Sequence, residues 1–250
     1  MRIFKEIFGR VWALWGIIVF VPTLLIFVWP VWFSFYLPSP WGMRVFRGAT
    51  RLWMTIFLYG IGSPLRIFGK QHHAKDRNYV VVSNHSSMMD IPAMTPFFPG
   101  ANKTIAKKSM SKIPVFGTIY KRGSVLVDRG SDASRRRSYE DMKKVLLVEG
   151  IDMVIYPEGT RNRTGKPLKE FYDGAFRLAV DCNKDIIPVV MFYTATVLQP
   201  GKPFFLWPHH IEMHLLPPVT IENKTQKDLK QEVFQKMWDF IESRTQRVNQ

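Results

Sequence analysis

The chain has 250 residues, enough for one sizeable hydrophobic core with or without an appendage. Its 35 Lys and Arg outnumber its 20 Asp and Glu, and the net charge of +15 indicates an anionic partner: nucleic acid, a membrane surface, or a phosphorylated or CoA-like substrate. The 46% hydrophobic and 14% aromatic content favours the membrane, and the single Cys182 excludes an intramolecular disulfide framework.

The first predicted element is an apolar stretch, residues 11–36, that carries no charged side chain. It is long enough to cross the hydrocarbon core of a bilayer, which takes about 20 helical residues. It is also too long for a cleaved signal peptide, and no small-x-small cleavage site follows it. Pro22 and Pro30 lie within the stretch, and because proline lacks the backbone donor, each tends to kink or end a helix.

Basic residues flank this apolar stretch on both sides. Lys5 precedes it, and the next segment places Arg44, Arg47 and Arg51 on one face of a predicted helix. This arrangement favours a helical hairpin or re-entrant anchor in residues 1–61, with both ends at the cytoplasmic surface, over a single-pass span. In either case the protein is predicted to sit on a membrane, with the rest of the chain on the cytoplasmic face.

From about residue 66 the sequence has the pattern of a soluble α/β domain. Three short apolar runs predict strands: NYVVVSN from Asn78, GSVLV from Gly123 and MVIY from Met153. The segment between the last two predicts a crossover helix. Each strand ends in polar or charged residues, and α/β sheets bind ligands at the carboxyl ends of their strands. We therefore expect a mixed sheet flanked by helices, with a ligand site at that edge.

A dyad of His85 and Asp90 follows the first of these strands. Five residues on one ideal helix turn about 140° from alignment, so the two side chains meet only if His85 lies in the strand-to-helix turn and folds back over the first turn. We expect a short helix through Met88 to Ile91, capped by Ser86 or Ser87. Asp90 would then accept from one imidazole nitrogen and leave the other as a general base. Incidental polar residues at a strand end are the alternative.

Three cations are expected to converge near His85 at the same edge of the sheet. They are Lys107, Arg129 after the second strand, and Arg161 after the third. The planar guanidinium of arginine suits a phosphate better than the point charge of lysine does. Together they predict a phosphate-binding cluster beside a general base. For each cation taken alone, a solvated surface charge is the alternative.

The C-terminal part of the chain adds further elements to this domain. Residues 192–219 predict two strands around a Pro-Gly turn. From Thr225 the sequence is amphipathic with a helical period, and it places Leu229, Val233, Met237 and Phe240 on one apolar face. We expect this helix to pack on the domain and to carry no chemistry.

Four segments resemble, in order and approximate spacing, the motifs of the glycerolipid acyltransferases, as found in the 1-acylglycerol-3-phosphate acyltransferases. NHSSMMD (84–90) resembles the N-H-x4-D motif of that family. GSVLVDR (123–129), YPEGTRNRTG (156–165) and IIPVVM (186–191) are similar to its second, third and fourth motifs. The resemblance covers about residues 65–220. An H-x4-D match alone is weak evidence, whereas four motifs in order are strong.

The resemblance implies a single α/β acyltransferase domain, residues 62–250, that works without a covalent enzyme intermediate. His85 would deprotonate the sn-2 hydroxyl of 1-acylglycerol-3-phosphate, which attacks the thioester of acyl-CoA or an acyl carrier protein and gives phosphatidic acid. Asp90 would orient His85 and stabilise its imidazolium, as an aspartate does in a serine hydrolase triad. The implied partners are the lysophosphatidate, the acyl donor and the bilayer.

The resemblance also implies a set of substrate-binding residues: Lys107, Arg129, Glu158, Gly159, Thr160 and Arg161. The three cations would hold the acceptor phosphate, and the others would shape the same pocket. No metal or other cofactor is implied. His72 with His73, and His209 with His210, are adjacent pairs that cannot easily point at one ion, so we interpret them as surface residues.

Two alternatives stand beside the acylation of lysophosphatidate. The first is O-acylation of another lysolipid, such as lyso-ornithine lipid, because enzymes with that activity share the motifs. The second is a catalytically inactive protein of this fold that binds membranes through its basic surface. Nucleic acid is not expected as a partner, because the chain lacks the interleaved aromatic and basic residues of a known nucleic-acid reader.

Overall fold

The helices and strands follow the predicted α/β order. In the computed structural model, which describes residues 2–38, 40–128 and 130–248, the strands are β1 (Leu65–Phe68), β2 (Val80–Ser83), β3 (Asn102–Lys107), β4 (Ser124–Val127), β5 (Asp152–Ile155), β6 (Ile186–Phe192) and β7 (Ile211–Leu215). The α-helices are α1 (Arg2–Phe33), α2 (Trp41–Gly60), α3 (Asp90–Met94), α4 (Phe116–Gly123), α5 (Asp132–Leu147), α6 (Gly174–Cys182), α7 (Thr194–Val197) and α8 (Gln226–Val248).

The strands form one mixed sheet in the order β1-β7-β6-β2-β5-β3-β4. The neighbouring strands β6, β2, β5, β3 and β4 all pair in parallel. Strand β7 pairs with β6 antiparallel, and β1 pairs with β7 in parallel. Five strands therefore end at the same edge, as expected for a ligand site in an α/β sheet. Both β2 and β5 are buried along their whole length, which fits a strand covered on both faces.

Helices cover both faces of the sheet. On one face α5, α6 and α8 bury a core with the sheet, and on the other α2 and α3 do so together with part of α1. Leu229, Val233 and Met237 are fully buried, which confirms the predicted apolar face of the C-terminal helix. That helix begins at a capping box, in which Thr225 Oγ1 accepts from Asp228 N at 3.2 Å and the Asp228 carboxylate accepts from Thr225 N at 2.9 Å.

The two N-terminal helices contact each other as a hairpin. The first, α1, runs through Pro22 and Pro30, so neither proline ends it. Trp12 Nε1 donates to Ile61 O at 3.0 Å, and Trp53 Nε1 donates to Thr23 Oγ1 at 3.0 Å. The outward face of α1 exposes large apolar side chains, among them Ile7, Val11, Leu14, Ile18, Leu25, Trp29 and Trp32. An 18-residue window within residues 3–33 has a mean hydropathy of 2.5, and the segment is long and apolar enough to cross a membrane.

The inner side of α1 is docked on the loop between α7 and β7. Leu206 N donates to Gly9 O at 3.0 Å, and the Phe205 ring packs directly on Gly9. Lys202 forms an ion pair with Glu6, which lies about one helical turn before Gly9 in α1. The helix is thus held against the domain near its N-terminal end by backbone, aromatic and ionic contacts.

The prediction of two strands within residues 192–219 was wrong in part. Tyr193 has a φ of +67°, which ends β6, and the chain continues into the short helix α7. A turn at the Pro200-Gly201 pair is present, with Lys202 N donating to Gln199 O at 3.3 Å. This turn directs the chain toward α1 instead of joining two strands. Only β7 follows it as a strand among the described residues.

The close contact at Gly9 gives a test of the α1 docking. A Cβ added at Gly9 would lie 2.1 Å from Phe205 Cε2, whereas one added at Gly48 in α2 would meet nothing within 4 Å. We expect Gly9→Ala to destabilise the protein by about 1–3 kcal/mol through overpacking. Gly48→Ala, the matched control, should stabilise it by about 0.5–1 kcal/mol because Ala favours the helix. Thermal unfolding of the detergent-solubilised chain measures both, and a higher Tm in both variants contradicts the docking.

Candidate active site

The His85–Asp90 dyad is formed as the sequence predicts, in the turn after β2. His85 Nδ1 and Asp90 Oδ2 are 2.7 Å apart, and Asp90 is the first residue of α3. The turn is anchored to β6 by Asn84, whose side chain donates to Met191 O at 3.0 Å and accepts from Met191 N at 2.8 Å. This amide pairs with the β6 backbone as another strand would, so it fixes the point from which His85 projects.

The predicted position and cap of the short helix were wrong. The helix begins at Asp90 and contains Pro92, instead of running from Met88 to Ile91, and neither serine caps it. The reason is that the Asp90 carboxylate organises the turn itself, because Oδ2 accepts from Ser86 N at 2.7 Å and Ser87 N at 2.8 Å. Pro92 is tolerated because the first helical turn leaves its donors unpaired.

The contacts of His85 define which ring nitrogen is free. Since a carboxylate only accepts, the bond to Asp90 assigns the proton to Nδ1 and leaves Nε2 with its lone pair. The ring lies 4.6 Å from the Tyr156 ring, centroid to centroid. The side chain of His85 is 16% exposed, whereas that of Asp90 is fully buried. The free nitrogen therefore belongs to the one member of the dyad that a substrate can reach.

The loop after β5 forms hydrogen bonds with both the amide and the carbonyl of the His85 backbone. Glu158 accepts from His85 N at 2.7 Å, and Asn162 N donates to His85 O at 2.7 Å. The second carboxylate oxygen of Glu158 accepts from Lys169 N at 2.9 Å. Burial raises the pKa of the Glu158 carboxyl, and these backbone donors act in the opposite direction. Glu158 is 1% exposed, and both of its hydrogen-bond partners are backbone amides. It therefore acts as a positioning residue for His85.

The other residues of this loop lie between the two points that hold His85. Gly159 has a φ of +68°, and a Cβ there would lie 2.7 Å from Tyr172 Cε2, so glycine is required. Thr160 Oγ1 accepts from Lys169 Nζ at 2.7 Å. Arg161 is half-buried and stands directly before Asn162. The loop therefore brings Arg161 to the neighbourhood of the dyad.

The other two predicted cations are Lys107, which lies farther from His85 than Arg161 does along the edge of the sheet, and Arg129. Lys107 is exposed and ends β3, two strands from β2 at the same edge, roughly 10 Å away at the usual strand spacing. Arg129 lies outside the described residues, two positions after the end of β4. The structure thus places Lys107 on the predicted edge, next to the strand that leads to Arg161.

An apolar cavity of about 310 Å³ lies between α2 and the segment around α3 that carries Asp90. Its lining includes Phe46, Trp53, Met54, Met89, Ile91 and Phe116. Because Met89 and Ile91 flank Asp90 in the chain, the cavity lies next to the turn that carries the dyad. It was not predicted from the sequence, in which the apolar residues of α2 are the one local signal for it.

The interpretation of the histidine pairs as surface residues was wrong for His73. Its side chain is 5% exposed, and Nε2 lies 2.9 Å from Asp152 Oδ2. Asp152 also accepts from Tyr79 N at 2.8 Å, so the pair joins the beginnings of β2 and β5, at the edge opposite His85. In the described residues, no group of three or more His, Cys, Asp or Glu is placed to hold a metal.

Comparisons with known proteins agree on one family. The family model named Acyltransferase matches residues 65–192. The chain is 32% identical to the 1-acyl-sn-glycerol-3-phosphate acyltransferase alpha of Mus musculus over 174 residues, and 32% identical to that of Homo sapiens over 175 residues. Each match covers 69% of this chain, which spans 60% of the length of these relatives.

A solved structure has the same fold. The chain superposes on the 1-acyl-sn-glycerophosphate (LPA) acyltransferase PlsC from Thermotoga maritima with a TM-score of 0.82. The match covers 96% of this chain and 98% of that chain at 22% sequence identity. The likeness therefore includes the N-terminal helices as well as the sheet.

Proposed function

The chain belongs to the acyltransferase family, and on that premise we propose that it acylates the sn-2 hydroxyl of 1-acylglycerol-3-phosphate and gives phosphatidic acid. The observation that carries the proposal is the 2.7 Å contact between His85 Nδ1 and the buried Asp90 carboxylate, at the edge where five strands end. Relatives named as 1-acyl-sn-glycerol-3-phosphate acyltransferases support the choice of acceptor. The donor is a fatty acyl thioester.

The reaction follows from the orientation of the imidazole. His85 Nε2 takes the proton of the acceptor hydroxyl while its oxygen attacks the thioester carbonyl, which forms a tetrahedral intermediate. When this collapses, the carbon–sulfur bond breaks, and the imidazolium returns the proton to the leaving thiolate. Asp90 holds the ring in the required tautomer and stabilises the transient imidazolium. Glu158 and Asn162 keep the His85 backbone in place throughout.

The apolar cavity fits one acyl chain. It is lined almost entirely by carbon atoms and ends next to Asp90, so a chain inside it would present its carboxyl end to His85. Burying a methylene contributes about 0.8 kcal/mol, which makes an apolar channel an effective site for a fatty acyl group. The cavity thus supports a lipid substrate over a small polar one.

The acceptor phosphate is assigned to Arg161 together with Lys107 and Arg129. Arg161 stands in the loop that holds His85, so a phosphate bound there would lie near the base. An arginine can bind two phosphate oxygens in parallel, which orients the acceptor as well as attracting it.

The α1–α2 hairpin is proposed to attach the enzyme to the membrane surface. The outer face of α1 is apolar, while its inner face contacts the domain through Gly9 near one end and Phe20, which packs on Phe116, farther along. A helix that packs along the domain in this way is better placed in the interface than across the bilayer. The basic residues of the hairpin favour the cytoplasmic leaflet.

The first test replaces the base. We expect His85→Ala to lower the turnover rate by about 10²–10⁴-fold, the usual contribution of general base catalysis. Asp90→Asn should cost comparably, because the amide favours the wrong tautomer. His72→Ala, at the opposite edge of the sheet, is the matched control and should keep the wild-type rate. Acyl transfer to lysophosphatidate measures all three, and a folded His85→Ala variant of near-normal rate refutes the mechanism.

The second test concerns the acceptor headgroup. Arg161→Lys keeps the charge but loses the bidentate geometry, so the KM for lysophosphatidate should rise roughly ten- to a hundred-fold while the KM for the donor changes little. Arg77→Lys, an exposed control at the beginning of β2, should leave both values unchanged. The same assays on a panel of lysolipids decide the acceptor: if the wild type prefers one without a phosphate, lyso-ornithine lipid or a related acceptor replaces lysophosphatidate.

The third test concerns the attachment. Buried apolar surface stabilises by about 25 cal/mol per Å² and is insensitive to salt, whereas ionic attraction is screened within about 3 Å at 1 M. We expect the full-length protein to stay on membranes through a high-salt wash and to be released by detergent. Release by salt alone would show that the attachment is electrostatic.

A further inference from the structure

A second pocket, of about 520 Å³, opens beside the dyad on the side of α7 and α1. Its lining includes Lys5, Ser86, Arg163, Phe205 and Trp207. Ser86 directly follows His85, so the pocket is adjacent to the base. Arg163 belongs to the loop after β5, but the function proposed above assigns no role to Lys5 or Arg163 and leaves the pocket without a ligand.

The walls of the pocket are fixed by long-range contacts. The docking of α1 on Phe205 and Leu206 brings the first turns of α1 to the pocket. On the opposite wall, Ser86 Oγ lies 2.9 Å from Thr194 Oγ1, which ties the dyad turn to α7. The pocket is therefore part of the folded domain and has a defined shape.

The charge of the pocket is positive. The Lys5 ammonium lies 5.0 Å from the centre of the Trp207 ring, a cation–π contact that directs it toward the pocket wall. Arg163 is exposed, and none of its described neighbours forms an ion pair with it. No carboxylate is among the lining residues. Glu6, the acid nearest to Lys5 in the chain, is paired with Lys202.

The pocket lies on the other side of His85 from one of the acceptor cations, Lys107. It lies toward α7, which follows β6 on one side of β2, whereas Lys107 lies at the end of β3 on the other side. Arg161 follows β5, between β2 and β3, and the chain then contacts His85 O through Asn162 N before it reaches Arg163. Positively charged groups thus lie on both sides of His85. A reaction that joins two phosphate-bearing substrates at one base requires such a division, because both anions must be bound at the same time.

We propose that this pocket binds the phosphopantetheine arm of the acyl donor, with the phosphate held by Lys5 and Arg163. The inference rests on the proposed acyl transfer and assigns its second substrate to a site. The arm is common to CoA thioesters and to acylated carrier proteins, and it ends in the sulfur that carries the acyl group. Bound here, it would extend past Ser86 and bring the thioester to His85, from which the acyl chain enters the apolar cavity.

The test uses the full-length protein in detergent micelles and titrates it with CoA, 4′-phosphopantetheine and pantetheine by calorimetry. Both phosphorylated probes should bind the wild type, and pantetheine should bind more weakly. Lys5→Gln and Arg163→Gln should each raise the Kd of the phosphorylated probes roughly tenfold, the effect of one lost charge-assisted hydrogen bond. Lys5→Arg, which keeps the positive charge, should retain the binding that Lys5→Gln loses. Arg10→Gln, an exposed control on α1, should leave binding unchanged.

Steady-state kinetics provide the second readout. Both Gln variants should raise the KM for the acyl donor by a similar factor and leave the KM for the acceptor unchanged. Their flotation with anionic vesicles should match that of the wild type, which distinguishes donor binding from membrane attachment by Lys5. Much tighter binding of CoA than of 4′-phosphopantetheine identifies a CoA donor; equal binding identifies the arm of a carrier protein.

Three results overturn the assignment: no binding of either phosphorylated probe, unchanged affinity in both Gln variants, or an increase in the acceptor KM instead of the donor KM. These results are distinguishable from failure of the proposed function. If no lysolipid is acylated but CoA binding is lost in the variants, the pocket stands and the reaction does not. If transfer occurs and CoA binds the variants normally, only the pocket assignment fails.

Discussion

The candidate site depends on the hydrogen bonds accepted by one buried carboxylate. Asp90 Oδ2 accepts from two consecutive backbone amides and from the imidazole of His85, so a single group shapes the turn, begins α3 and orients the imidazole. Removing such a group leaves several buried donors unpaired, which is far more costly than the loss of any one bond. The backbone of His85 is held independently by the loop after β5. Turn and loop together leave the imidazole little freedom.

The second constraint is the contact between α1 and the loop before β7. It joins the most apolar element of the chain to the edge of the sheet at which the dyad lies. Through this contact α1 and the proposed donor pocket share residues, since Lys5 belongs to the first turns of that helix. The apolar cavity is likewise bounded by α2. The hairpin therefore contributes walls to both proposed substrate sites in addition to an exposed apolar face.

The sequence predicted those features that depend on local pattern. Apolar runs of strand length gave β2, β4 and β5, and the five-residue spacing of His85 and Asp90 gave the turn between them. Helix α8 followed from its apolar period. Two errors arose where distant contacts decide: β6 ends at Tyr193, from which the chain turns toward α1, and His73 is buried because Asp152 lies beside it in the fold. The error in α3 was local, because Asp90 binds the amides of Ser86 and Ser87. The pocket beside Ser86 joins residues about 200 positions apart, and no local pattern indicates such a contact.

The docking of α1 through Gly9 has a consequence for how the protein can be handled. Removal of an apolar N-terminal helix is the usual way to obtain a soluble fragment of a membrane-associated enzyme. Here the same cut exposes the ring of Phe205 and takes away one wall of the pocket beside the dyad. A fragment without α1 would thus combine an altered pocket, the proposed donor site, with the loss of the proposed attachment. Its inactivity would not reveal which of the two an enzyme of this architecture needs.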